Sequence, residues 1–145
     1  MISVTREHVI AAAHRLYDYD GRCERLHGHN YRIALTLDAP GLDALGMVAD
    51  FTVIKKALFA ALDEEWDHRT LLYVKDPLCA RLAAILDDGS IRSVPFNPTA
   101  ENMAAWLGET FFPAVMRRAG MDAGVRPAAV WVHETDGSCA LWSRD

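Results

Sequence analysis

Residues 14–30, HRLYDYDGRCERLHGHN, hold three of the chain's six histidines together with Cys23 and Glu24. His27 and His29 stand two apart, so on an extended strand both imidazoles face the same way. His14 closes the extended segment before them. If the two segments pair, three neutral nitrogens can meet at one zinc ion, at about 2.0–2.1 Å, and leave a fourth position for substrate. That count describes a catalytic rather than a structural metal. An HxH pair by itself is as readily a histidine-rich surface loop. The addition of His14 and a nearby thiol turns the balance toward a site. Cys23 lies four residues before His27 and can serve as a fourth ligand or as a free thiolate, whose pKa zinc and histidines would lower, giving a base or nucleophile. The bland alternative is a small buried hydrophobe, which is the reading given to Cys79 and Cys139. Glu24 by itself reads as a solvated loop charge.

Two further groups carry chemistry. Asp67 and His68, in EEWDHRTLL, form an orienting pair only if the fold turns them together; a histidine there equally suits the negative end of a helix. Glu134, in AVWVHET, shares a strand face with Val130 and Val132. A carboxylate among apolar neighbours needs a partner, and a ligand bearing N–H donors would supply one.

These groups must be positioned by a small set of elements. ISVTREHVIAAAHRL reads as a strand, and HNYRIALTLDAPG alternates with Tyr31, Ile33, Leu35 and Leu37 on one face, so the histidine-rich stretch is a loop between two paired strands. DFTVIKKALFAALDEEW has Ile54, Ala57, Leu58, Ala61 and Leu62 at helical spacing behind Asp50 as N-cap. DPLCARLAAILDDGS suggests a shorter helix closed by Gly89, followed by a short strand at IRSVPF. TAENMAAWLGETFFPAVMRRAG repeats Met103, Leu107, Phe111 and Val115, with Thr99 as N-cap, Gly120 as stop, and Pro113 as a kink or interruption. AAVWVHET and CALWS around DGS form a terminal hairpin. The order predicts an α+β fold: one four-stranded antiparallel sheet with two helices packed on one face. Open edges on such a sheet invite closure through other copies.

With 145 residues, 16.1 kDa, 51% apolar and 24% charged residues, the chain has the composition of one globular domain spanning 1–145. A chain of about this length buries roughly 70% of its unfolded surface and needs no metal for stability. The net charge of −5 argues against nucleic acid and acidic membranes, leaving small anionic substrates bound through a local basic pocket. Three cysteines without CxxC spacing, and no signal or membrane-spanning segment, are expected of reduced thiols in a cytoplasmic protein.

The ordered series AAAHRL, CERLHGHNY, GMVADF, WDHRTLL, NPTAEN and VWVHET resembles the 6-pyruvoyl-tetrahydropterin synthase / 6-carboxytetrahydropterin synthase family. The resemblance implies a tunnel-type fold (T-fold), in which trimers close their sheets into a barrel, two trimers stack as a homohexamer, and active sites lie at subunit interfaces. Carried over by position, His14, His27 and His29 would bind Zn2+, Cys23 would be the catalytic thiol, and Asp67 with His68 would complete a proton relay. Glu134 would anchor the pterin ring, with Thr99 and Glu101 beside it. Two departures stand out: Trp66 and Leu72 replace the Leu and Asn of the usual LDHxxLN, and residues 73–95 form an insertion relative to short bacterial members. The implied activity is a lyase making 6-carboxy-5,6,7,8-tetrahydropterin, acetaldehyde and triphosphate from 7,8-dihydroneopterin triphosphate, on the queuosine route. CxxxHGH resembles the carboxy-forming bacterial type. ExxHGH, which Glu24 provides, resembles variants that form 6-hydroxymethyl-7,8-dihydropterin for folate, so a dual-function enzyme is the alternative. A 6-pyruvoyl-tetrahydropterin synthase and a zinc-bearing pterin-binding scaffold without turnover are the other readings.

Overall fold

Strands β1 (Ile2–His14) and β2 (His27–Ala39) carry apolar side chains at alternate positions and pair antiparallel along their whole length, Ile2 opposite Ala39 and His14 opposite His27. They form the centre of a sheet in a computed structural model that describes residues 1–145. The full order is β4-β3-β1-β2-β5-β6, with β3 at Arg69–Tyr73, β4 at Ile91–Val94, β5 at Arg126–Thr135 and β6 at Ser138–Ser143.

The sheet therefore has six strands rather than four, and it is mixed. β3 runs parallel to β1, and β4 parallel to β3. Parallel neighbours need a crossover, and α3 (Pro77–Ile85) supplies it between β3 and β4. Residues 73–95 are thus an ordered extension of the sheet. A five-residue run such as RTLLY shows too little periodicity to be told from a helix end, and its pairing with Ala12–His14 is decided by contacts far away in sequence. The α3 helix also ends before its expected stop. Leu86 caps it, and Gly89 lies beyond in the turn at φ +81°, where its carbonyl accepts from Arg69.

Two helical rods cover one face. The first runs through α1 (Phe51–Val53), a π segment at Ile54–Phe59 and α2 (Ala60–Trp66), and Asp50 caps it by accepting from the Thr52 N–H. The second runs through α4 (Ala100–Trp106), a π segment at Leu107–Phe111 and α5 (Phe112–Arg118), with Thr99 as N-cap. Pro113 falls in the first turn of α5, directly after the π segment, so its missing donor is absorbed at a change of helix register. Gly108, in the same π segment, lies so close to the Trp142 indole that any Cβ would collide with it.

A core of 24 residues fills the space between rods and sheet, with Tyr31, Ile33, Leu35, Leu37, Val130 and Val132 facing Ile54, Leu58, Leu62, Met103, Leu107 and Phe112. The opposite sheet face has no cover and exposes Val9, Trp131 and Leu141. Cys79 is buried as expected, but Cys139 is exposed, because it sits on an edge strand with one neighbour only. No helix is long and apolar enough to cross a membrane.

Candidate active site

The β1–β2 register fixes the histidines. Ala12 stands opposite His29 and His14 opposite His27, so His14, His27 and His29 share the helix-covered face at one end of the sheet. The Nε2 atoms of His14 and His27 are 3.2 Å apart, and the available ring nitrogens of all three lie within 4.8 Å of one another. Each Nδ1 of the first pair has a fixed duty: His14 donates to the Pro98 carbonyl at 2.7 Å, and His27 to the Arg25 carbonyl at 2.7 Å. Both Nε2 atoms are then lone-pair acceptors that cannot satisfy each other. His29 Nε2 is buried with no partner at all. Three acceptors aimed at one point, two of them oriented by backbone carbonyls, fit a metal ion.

The surroundings favour the neutral form of His14 and His29. Burial, assisted by His27 and His29 and opposed by the Pro98 carbonyl, pushes His14 down to about 4. Burial also lowers His29, against the pull of the Glu134 carboxylate. Tyr31 stacks edge-on to both His14 and His29, and its hydroxyl is buried without a partner. Burial, then the nearby Glu134, raises its pKa. The alternation in sequence places Tyr31 on one face of β2 with Ile33, Leu35 and Leu37; its contact with the histidines follows from the same register.

A cavity of about 260 Å³ opens beside His14, lined among others by Tyr19, Cys23, Thr99, Glu101 and Glu134. Cys23 is half-buried in a single 3-10 turn, Arg22–Glu24. Glu134 continues the inward face of Val130 and Val132, and its Oε1 lies 3.9 Å from His14 Nε2. Thr99 Oγ1 accepts from the Asn102 N–H while capping α4, and Glu101 sits in that helix's first turn. Glu24 is exposed and does not line this cavity.

Asp67 and His68 do form a pair, His68 Nδ1 donating to Asp67 Oδ2 at 3.0 Å. Asp67 also accepts from the Ala11 N–H at 2.9 Å. Burial opposes the charge, but the Ala11 amide and His68 outweigh it and hold the Asp67 carboxyl below its ordinary value. His68 takes a left-handed backbone, φ +59°, and its side chain is 83% exposed. His68 lines a different cavity, about 400 Å³, whose wall includes His29 together with Ala11, Ala13, Gly28 and Asn30. By register Ala11, Ala13, Gly28 and Asn30 face the uncovered side of the sheet, opposite to the face from which the histidine rings project. Within one chain, then, Cys23 and His68 are not brought together.

Residues 3–145 match the family described as 6-pyruvoyl tetrahydropterin synthase. The 6-carboxy-5,6,7,8-tetrahydropterin synthase of Rickettsia bellii is 35% identical over 113 residues, 78% of this chain and 82% of that protein. The Aquifex aeolicus protein of the same name is 32% identical over 127 residues, 86% of this chain and 77% of that protein. Among solved structures, an uncharacterized Wolinella succinogenes protein superposes with a TM-score of 0.82 at 23% identity, covering 99% of this chain and 98% of that one. Caenorhabditis elegans 6-pyruvoyl tetrahydropterin synthase gives 0.69 at 23% identity, covering 99% and 96%. The expected tunnel-type fold is the fold these chains share. With the match spanning residues 3–145, the motifs in their expected order and the fold in common, this chain belongs to the 6-pyruvoyl tetrahydropterin synthase family.

Proposed function

We propose that the chain is a zinc-dependent lyase converting 7,8-dihydroneopterin triphosphate to 6-carboxy-5,6,7,8-tetrahydropterin, acetaldehyde and triphosphate, a cytoplasmic step toward queuosine. The observation that carries this reading is the cavity in which the edge of the histidine triad, the Cys23 thiol and the Glu134 carboxylate meet. The relatives from Rickettsia bellii and Aquifex aeolicus carry the carboxylated product in their names.

His14, His27 and His29 would hold the ion through their Nε2 atoms, and three imidazoles with an open position suit zinc. When bound, zinc supplies Lewis-acid polarisation of the substrate's side-chain oxygens. Glu134 accepts hydrogen bonds from the N–H groups of the pterin and fixes the ring, with Thr99 and Glu101 forming the wall at the start of α4. Cys23 moves a proton at the substrate side chain, and His68, oriented by Asp67, moves one on the opposite face. Because a chain's own His68 opens onto a different cavity from Cys23, the Asp67–His68 pair serving each cavity comes from a neighbouring copy. A homohexamer of two trimers, with sheets closed into barrels, provides that arrangement and covers Val9, Trp131 and Leu141.

The folate-type reading would use Glu24 as the proton acceptor. Its exposure outside the cavity favours the lyase reading. Incubating the protein with 7,8-dihydroneopterin triphosphate and separating the pterins decides between them. The 6-carboxy product is expected; 6-hydroxymethyl-7,8-dihydropterin or a pyruvoyl product would reassign the enzyme, and tight pterin binding without turnover would make it a scaffold.

A further inference from the structure

The loop between β1 and β2 carries Cys23, yet it has left the sheet ladder that holds the histidines. One side chain replaces the missing ladder. The Tyr17 N–H donates to Asn97 Oδ1 at 2.9 Å, and Asn97 Nδ2 donates to the Tyr17 carbonyl at 3.0 Å. A planar amide offers one acceptor and one donor side by side, so it grips a single residue's backbone as a neighbouring strand would. The adjacent Leu16 N–H donates to the Cys23 carbonyl at 2.8 Å, which ties the gripped segment to the turn bearing the thiol. Asn97 is itself anchored: its carbonyl accepts from the Thr99 N–H at 2.7 Å and from Asn102 Nδ2 at 2.9 Å, at the start of α4. The next residue, Pro98, orients His14 through its carbonyl.

We propose that Asn97 is a positioning residue that sets the Cys23 thiol relative to the histidine triad by holding the Tyr17 backbone. The inference rests on the lyase reading, in which Cys23 carries a proton to or from substrate. Alanine removes both hydrogen bonds. Aspartate has the same shape and keeps the acceptor for the Tyr17 N–H, but it loses the donor for the Tyr17 carbonyl. Metal binding is spared in both, because Pro98 reaches His14 through backbone.

The test uses full-length zinc-loaded protein with Asn97→Ala and Asn97→Asp. Turnover of 7,8-dihydroneopterin triphosphate, zinc content, and the rate at which iodoacetamide alkylates Cys23 without substrate, followed by mass spectrometry, are measured. Asn97→Ala is expected to lower kcat by about 10–100-fold, the range for losing a group that orients the reacting shell. KM and zinc content should stay within about twofold, as expected for a loss confined to the chemical step. Cys23 alkylation should quicken several-fold as the loop loosens, and Asn97→Asp should fall between alanine and wild type. Where alanine prevents folding, the aspartate variant carries the test. Unchanged kcat, unchanged alkylation, or zinc lost in step with activity would overturn the proposal. Absent turnover by wild type would instead defeat the lyase reading, while the alkylation measurement would still decide whether Asn97 holds Cys23.

Discussion

His27 and His29 each contribute a nitrogen whose only evident use is a metal, since one faces another acceptor and the other is buried alone. Both side chains are only half-buried, so their loss leaves the apolar core between rods and sheet intact. His27→Ala and His29→Ala proteins should therefore lose bound zinc and activity while keeping a wild-type circular dichroism spectrum; full zinc in the double variant would refute the site. Cys23→Ala should lower formation of the 6-carboxy product by about 10²–10⁴, the range for removing a general base. Glu24→Ala should leave that product unchanged, because Glu24 stands outside the cavity. Loss of a 6-hydroxymethyl product in Glu24→Ala alone would restore the dual-function reading. Product chromatography on both variants checks the pair.

At the scale of elements, the α3 extension is fastened beside the site by one ion pair. Asp76 caps α3 by accepting from the Leu78 N–H, and it takes two hydrogen bonds from Arg15 at 2.6 and 2.5 Å. Arg15 directly follows His14, so the segment 73–95 is tied to the neighbour of one of the three clustered histidines. The Arg15 guanidinium, ahead of the opposing effect of burial, holds the Asp76 carboxyl below its ordinary 3.8. A carboxyl lowered in the folded state contributes stability above its unfolded value, and the contribution is lost as pH falls through the folded value. Asp76→Asn should cost about 3 kcal/mol at neutral pH, toward the low end for a broken buried pair. The low end applies because the Arg15 side chain keeps 25% of its surface exposed. The gap between wild type and variant should narrow as pH falls below the ordinary carboxylate value. Urea unfolding at neutral pH and at about pH 3 measures both, through the shift in midpoint.

For the whole molecule, the proposed sharing of each site and the bare sheet face point to the same assembly. β3 pairs with β1 only at Ala12–His14, which leaves the earlier part of β1 an open edge, and β6 is an edge strand as well. Open edges and exposed apolar side chains on one face are joined by adding copies. Light scattering should give a hexamer; a monomer at micromolar concentration would contradict both the assembly and the shared site. A sharper measurement mixes two inactive variants, Cys23→Ala and His68→Ala, after dissociation and reassembly. If neighbouring copies share each site, some sites in the mixed oligomers pair an intact Cys23 with an intact His68, and activity returns. Sites complete within one chain would give no recovery.

The sequence by itself determined what depends on short spacing. The two-residue interval of His27 and His29 put both rings on one face, the alternation of Tyr31 through Leu37 built β2, and Asp50 and Thr99 capped the rods where they were expected to. Such features are settled by strand period and by side chains reaching the nearest amides. Only the tertiary structure decided the rest. The pairing of β3 with β1 and of β4 with β3, the Arg15–Asp76 clamp, the hold of Asn97 on Tyr17, and the opening of His68 and Cys23 onto different cavities all depend on residues tens of positions apart. No local period encodes them, because each is chosen by which faces and edges the packed core leaves available.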